Sequence, residues 1–423
     1  MELFRGMMTE IADALAELGA RFHGVRATLA EIGDADAAAP PVFPHAGISP
    51  LGLWAPLALL AGAAGARNGH VTPSPGRARE GLFAMMRNPH PGARLSVSLS
   101  LSREVDDERL VELLGDVVDA GQMASHGIPS PRDLARWATD RTDGQMTALP
   151  LPVDEDATLV AGVSVAAAGR WASPLEACWA GSLGDAWSVD RVVRAGGPDC
   201  GLARDEDLGY LGVTVNRCGN GLFALSVIAA PQVSASAVTA AAGRLARRFG
   251  AGERILLPNA RLPVGDHGWW RVDDNPLFAG SVEQQHNCAL IPSWVVAETY
   301  DIMTYGLGYW GVLAEALSAR LGPSRGAVCA GQASQCWFGR DGFAATALTA
   351  AQISGSRGWP IALPAERLDV VSGSAPSPVG GTLVELEYRH PFAVVVATAS
   401  EAAGHIWRGL PIHVVWVTQA CEP

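Results

Sequence analysis

The sequence predicts an α+β fold with one large mixed core. Helical patterns gather in the first half of the chain and strand patterns in the second. Strands and helices do not alternate regularly, as a doubly wound sheet would require. Of the 423 residues, 48% are hydrophobic and only 17% charged, enough apolar side chain for a substantial interior.

Taken in order, Thr9 to Phe22 reads as an amphipathic helix, with Ile11, Leu15 and Leu18 on one stripe. The residues before it lack a basic head followed by an apolar run, so the start does not read as a secretory leader. Pro50 to Ala66 and Val105 to Ala120 read as further helices, and Asp106, Asp107 and Glu108 suit the positive end of the second. The Leu51 to Ala66 stretch comes nearest to a membrane span, but it carries Pro56 and three glycines and falls short of the ~20 apolar residues needed. Leu208 to Val215 and Leu222 to Ala229 read as a hairpin closed by Asn220-Gly221, since that dipeptide supplies the positive φ of a tight turn. Val394 to Val396 and Ile412 to Val417 read as buried strands, and Ser372 to Gly381 as a loop or linker. No internal repeat is visible.

A formal net charge of -12 argues against a nucleic-acid partner, which needs clustered Lys and Arg. The densest basic run, Arg244 to Arg254, reads as one face of a helix. Seven cysteines without a C-x-x-C pair suit free thiols of a reducing compartment. A cytoplasmic location is expected, with secretion left open. There is no H-E-x-x-H and no P-loop, so no metal and no cofactor is expected. Gly306 to Gly311 fits G-x-G-x-x-G without the acidic residue or βαβ setting a nucleotide needs, and reads as a strand-to-helix turn. Gly162 to Ala166 misses G-x-S-x-G by one residue.

Six segments, in order, carry a family resemblance. Trp137 is followed by Thr142, Gly144 and Met146, then by an apolar run from Thr158 that closes on Gly169 and Trp171. Ile48 to Gly65, Gly221 to Pro231, Ile291 to Ile302, Asp341 to Ala351 and His390 to Gly409 supply the others. Together they resemble the serpins, as a divergent bacterial-type member. The resemblance implies a single serpin-like domain over residues 1–423, with a large central sheet, additional sheets and a helical cluster. It also implies irreversible inhibition of a serine protease. The protease cuts an exposed loop, whose first half then inserts into the central sheet as a new strand.

By that resemblance Gly342, Phe343, Ala344, Ala345 and Thr346 form the hinge. Residues 340–389 hold the hinge plus an extended reactive loop. The cut falls beside Arg357, at Ser356-Arg357 or Arg357-Gly358, which implies a trypsin-like protease as partner. The hinge segment is expected to leave a sheet strand and run into an exposed loop. On composition alone, the same residues are a small-residue strand or loop of an Ala-rich chain.

Several departures weaken the inhibitor reading. Phe343 is bulky where insertion wants a small group, at a cost of about 1–3 kcal/mol. The stretch from Arg357 to Arg389 is roughly twenty residues longer than the resemblance allows. Ala135, Val163, Ala166, Ala167 and Gln332 replace residues that govern sheet opening. The second reading is a non-inhibitory scaffold that binds or transforms a small molecule, as in a bacterial biosynthetic pathway. No independent catalytic motif supports it, and a repurposed catalyst stays open. Its candidate residues are Ser164, His267, Trp269, Trp270, His286 and Cys288, where titratable groups sit among indoles. The small residues Val163, Ala166 and Ala167 also predict an apolar pocket beside the Ser164 strand, with a Trp and a His or Cys in its wall.

Overall fold

The structure, a computed structural model, describes residues 2–33, 45–64, 73–154, 156–178, 183, 192–273, 287–305, 309–321, 327–354, 383–399 and 406–418. Among these residues the chain forms three six-stranded sheets and seven α-helices. The first sheet holds β1 (Ala46–Ile48), β7 (Cys200–Asp205), β8 (Gly209–Arg217), β9 (Leu222–Ile228), β17 (Phe392–Thr398) and β18 (Pro411–Val417) in the order β1-β18-β17-β9-β8-β7. The central sheet holds β2 (Ala93–Leu101), β3 (Met123–His126), β4 (Leu159–Arg170), β13 (Trp294–Asp301), β14 (Ala327–Phe338) and β15 (Gly342–Ser354) in the order β13-β14-β15-β4-β2-β3. The third holds β5 (Glu176–Cys178), β6 (Val192–Gly196), β10 (Gly265–Asp266), β11 (Trp270–Asp273), β12 (Cys288–Pro292) and β16 (Leu383–Glu387) in the order β10-β11-β16-β12-β6-β5. The helices are α1 (Glu2–Gly33), α2 (Pro50–Ala64), α3 (Pro75–Arg87), α4 (Glu108–Asp119), α5 (Pro131–Arg141), α6 (Ala235–Gly250) and α7 (Tyr309–Leu321).

Local chemistry accounts for these elements. In α4, Leu110, Leu113, Leu114 and Val117 face the core, and the Asp107 carboxylate accepts from the backbone N–H of Arg109 and Leu110 as N-cap. This helix joins β2 to β3, one of two parallel pairs in the sheets. The β8–β9 hairpin turns at Gly221, whose φ is 81°. In α2, fourteen of fifteen residues are buried, which leaves no polar face to point at water. It runs through the interior against β4, β15 and β18. All seven residues of β17 and of β18 are buried, because α6 covers one face of the first sheet and the main core covers the other. Helix α5 lies across the central sheet, with Leu134, Trp137 and Ala138 packed on Leu348 and Ala350 of β15. No described helix is long and apolar enough to cross a membrane.

The segment expected to be exposed is the largest departure from the sequence reading. Gly342–Ser354 is a thirteen-residue strand, buried at every position, between β14 and β4. The resemblance took the alanines and threonines as small enough to slip between strands and expected the segment to run from a sheet strand into an exposed loop; small side chains on both faces are also what a crowded central strand needs. The proposed bond at Ser356, Arg357 and Gly358 lies outside the described residues, as do His286 and the Ser372 to Gly381 stretch.

Candidate functional site

The β14–β15 hairpin and its surroundings form the site. Twelve residue pairs join β15 to β14, from Phe338↔Phe343 to Ala327↔Ser354, and twelve more join it to β4. Gly342 opens the strand where the backbone of β4 comes closest. A Cβ there would sit 2.2 Å from the carbonyl oxygen of Gly169, so only glycine permits this pairing.

Phe343 does not obstruct the strand. Its ring packs 5.5 Å from that of Trp171, which in turn lies 5.2 Å from Phe338. Phe338 stacks on Trp294 at 5.8 Å, and the Trp171 indole N–H donates to the carbonyl of Gly339 at 2.9 Å. An aromatic cluster surrounds this bulky side chain, so it is packed by rings of its own kind.

Further along, each polar side chain of β15 meets a partner. The Thr346 hydroxyl donates to Gln145 Oε1 at 2.7 Å. The Thr349 hydroxyl accepts from Gln332 Nε2 at 2.7 Å. Gln332 also donates to the carbonyl of Ser49 and accepts from its N–H, so one buried amide ties β15 to the start of α2. Gln352 donates to the carbonyl of Pro152 at 3.0 Å and to the Asp154 carboxylate at 3.1 Å, and accepts from the Asp154 N–H. The Ser354 hydroxyl donates to the same carboxylate. Gln332, Thr349, Gln352 and Ser354 are fully buried, so each bond removes a desolvation cost that an unpaired group would carry.

Two cavities flank the upper end of β15. One, of about 740 Å³, lies over Gly169 to Trp171, Trp337 and Gly342-Phe343. The other, of about 430 Å³, opens beside the first residues of β2 and is lined by Ala166, Ala167, Thr346, Met86, His90 and Trp407, among others. This cavity stands next to Ala166 and Ala167 and has a Trp and a His in its wall, but it is not the apolar pocket expected: Arg94, Asp143, Gln145 and Thr346 also line it, and Val163 and Ser164 do not. Ser164 instead sits fully buried in β4, its hydroxyl donating to the Arg141 carbonyl at 3.3 Å.

His267, Trp269, Trp270 and Cys288 belong to the third sheet, so Ser164 does not share a site with them. His267 stacks on Trp270 at 3.9 Å in the β10–β11 turn, where its ring nitrogen meets the Pro263 carbonyl. Trp269 and Trp270 are buried against His390 and Tyr210 as core packing. Burial pushes the Cys288 thiol up to about 11, which makes it a poor nucleophile near neutral pH. Among the described residues no cluster of His, Cys, Asp and Glu could hold a metal ion. Sequence reasoning missed Gln145, Asp154, Gln352 and His90. The Pro89-His90-Pro91-Gly92 turn just before β2 was the one local signal available, since it fixes a rigid corner.

No family model and no curated protein sequence matches the chain. Solved structures do. A cleaved serpin, Serpin 42Da, aligns over 99% of this chain and 98% of its own at 13% identity and a TM-score of 0.56. A loop-inserted, cleaved ovalbumin mutant aligns over 96% and 99% at 11% identity and a TM-score of 0.58. The thermophilic serpin tengpin, in its latent state, aligns over 95% and 97% at 12% identity and a TM-score of 0.56. Thyroxine-binding globulin complexed with a thyroxine–fluorescein ligand covers 82% of this chain and 98% of its own, at 12% identity and a TM-score of 0.50. At these identities the likeness is one of architecture: from its first helix to the strand that ends at Val417, this chain has the serpin fold.

Proposed function

We propose that this protein is a non-inhibitory serpin-fold scaffold that binds a small molecule. One observation carries the reading. The strand an inhibitor would gain on cleavage is already complete in the continuous chain, while β16 keeps its place between β11 and β12. An inhibitor stores free energy in an unfilled slot and releases it when the loop enters. Here the slot holds β15 along its whole length, so that store is spent.

Chain length makes this compatible with an intact backbone. The thirteen residues of β15 span about 43 Å. Twenty-eight residues, 355–382, join Ser354 to β16. Extended, they reach about 90–100 Å, so the chain can return to the third sheet without being cut and without peeling β16 away. The extra length that weakened the inhibitor reading thus has a physical use. Ovalbumin and tengpin, solved with the loop inserted or in the latent state, lend support by analogy. Thyroxine-binding globulin, solved with a thyroxine derivative, supports a ligand role for such a scaffold.

The rival reading keeps Gly342 to Thr346 as a hinge and Ser356 to Gly358 as bait for a trypsin-like protease. The small side chains of Ala344, Ala345, Thr346 and Ala347, which pass between strands easily, favour it. Incubation with trypsin separates the two. The scaffold reading expects cleavage without a detergent-resistant complex, and a melting temperature unchanged within a few degrees. A covalent complex, or a gain of tens of degrees on cleavage, would sink it.

A further inference from the structure

The cavity beside β2 has a feature that packing does not explain. Strand β3 pairs only with Ser98 to Leu101, so the first residues of β2 run without a neighbour on that side among the described residues. Beside them the turn Pro89 to Gly92 folds back, held by the bond from the Ala93 N–H to the His90 carbonyl. His90 is only 4% exposed. Its Nδ1 accepts from the Gly92 N–H at 3.0 Å, so the proton of the neutral ring is on Nε2. That Nε2–H is buried and has no hydrogen-bond partner in the protein. A polar group in this state costs stability unless something else satisfies it.

The surroundings define what that partner is. Trp407 lies 5.8 Å from the His90 ring, its own N–H engaged with the Asn88 carbonyl at 2.6 Å, so it offers only its π-face. Met85, Met86, Pro89, Pro91, Ala166 and Ala167 form the apolar side of the cavity, of adaptable shape, and Arg94, Asp143, Gln145 and Thr346 its polar side. The cation at the rim, Arg94, is already paired with Asp143. A carboxylate entering here would lose its water with no unpaired cation to meet it.

We propose that this cavity is a binding site for an uncharged aromatic or aliphatic carbonyl compound. Its oxygen accepts from His90 Nε2–H, and its apolar body packs between Trp407 and the Met85-Met86 pair. This assignment rests on the scaffold reading and names its ligand class. Thr346, bonded to Gln145, places β15 in the same wall, so the cavity has this shape only while β15 occupies the sheet.

The test uses full-length protein labelled with ¹⁵N-histidine, and three probes of similar size: acetophenone, ethylbenzene and benzoate. Loss of one side-chain signal in His90→Gln assigns the His90 resonance. Acetophenone is expected to shift that resonance saturably and to bind about ten-fold more tightly than ethylbenzene or benzoate, the worth of one buried hydrogen bond. Ala166→Trp, which fills the cavity from a half-buried position, should abolish the shift while keeping the wild-type melting temperature. His90→Phe, which keeps a ring but has no N–H to donate, should erase the preference for acetophenone over ethylbenzene. No shift with acetophenone, equal binding of ethylbenzene, or a shift that survives Ala166→Trp would each overturn the site. Failure here with a clean trypsin result leaves the scaffold reading standing. A covalent trypsin complex would remove that reading whatever the probes do.

Discussion

The two halves of β15 are built differently. In the lower half, Thr349, Gln352 and Ser354 are fully buried and each side chain bonds outside its own strand, to Gln332 or Asp154. In the upper half, contact is by shape. Phe343 fills an aromatic cluster, Ala344 and Ala345 fill little, Thr346 bonds to an exposed Gln145, and cavities open on both sides. Directional bonds fix register, since a one-residue slip would turn every polar group of the lower half to the wrong face. Shape contacts tolerate change. The strand is therefore fixed by directional bonds at one end and flanked by cavities at the other.

Removing the aromatic anchor should break the upper half most. Phe343→Ala is expected to cost about 3–5 kcal/mol, a cavity in a packed aromatic cluster, read from urea unfolding. Phe343→Thr should fall in the same direction and gain no protease trapping. A loss below about 1 kcal/mol would mean that the cluster relaxes around the gap and does not hold the strand.

The lower half is tested by its buried amide. Gln332→Leu should cost about 2–3 kcal/mol, because it strands the Ser49 N–H and the Thr349 hydroxyl, while the Ser49 carbonyl keeps the Leu53 N–H. Adding Thr349→Val should cost less in that background than alone, with a coupling of about 0.5–1 kcal/mol. Strict additivity would show that Gln332 does not hold β15, and the contrast between the halves would reduce to packing.

Much of this fold was legible in the sequence, and the reason differs by element. The α4 stripe, the Asn220-Gly221 turn and the buried valines of β17 are local patterns that burial then amplifies. Gly342 was legible as a hinge position by resemblance, but its approach to Gly169 needed the partner strand. Phe343 reads differently in the structure because the cost of a large side chain depends on what surrounds it, and Trp171, whose ring it packs against, is far away in sequence. Gln145, Asp154 and Gln352 carried no motif. Their role comes from bonds across some two hundred residues, which no local pattern encodes. Ser164 was grouped with His267 and Cys288 by residue type, and the sheets separate it from both.

The smallest expected effect concerns the proton on His90, and it bears on the upper half alone. Burial lowers its pKa from 6.5 to about 4. A charged ring would also turn an Nδ1–H toward the Gly92 N–H, setting two donors against each other. Between these two values the unfolded chain binds a proton that the folded chain refuses. Stability is therefore full above 6.5, falls as pH drops toward about 4, and levels off below. His23 and His413, buried and lowered to about 3, extend the same loss to lower pH. His90→Gln should remove one proton from the slope of stability against pH between 6.5 and about 4, and leave the lower part to His23 and His413. One pH unit below 6.5 the variant should have lost about 1.4 kcal/mol less than the parent, measured by urea titrations across the window. An unchanged slope would mean that His90 is solvated in the folded protein, and the cavity would then have a wet wall with no orphaned donor to satisfy. A carbonyl compound held by Nε2–H would sharpen the contrast. It binds a form whose Nδ1 must stay unprotonated, so saturating acetophenone should push the His90 pKa lower still and leave His413 where it is.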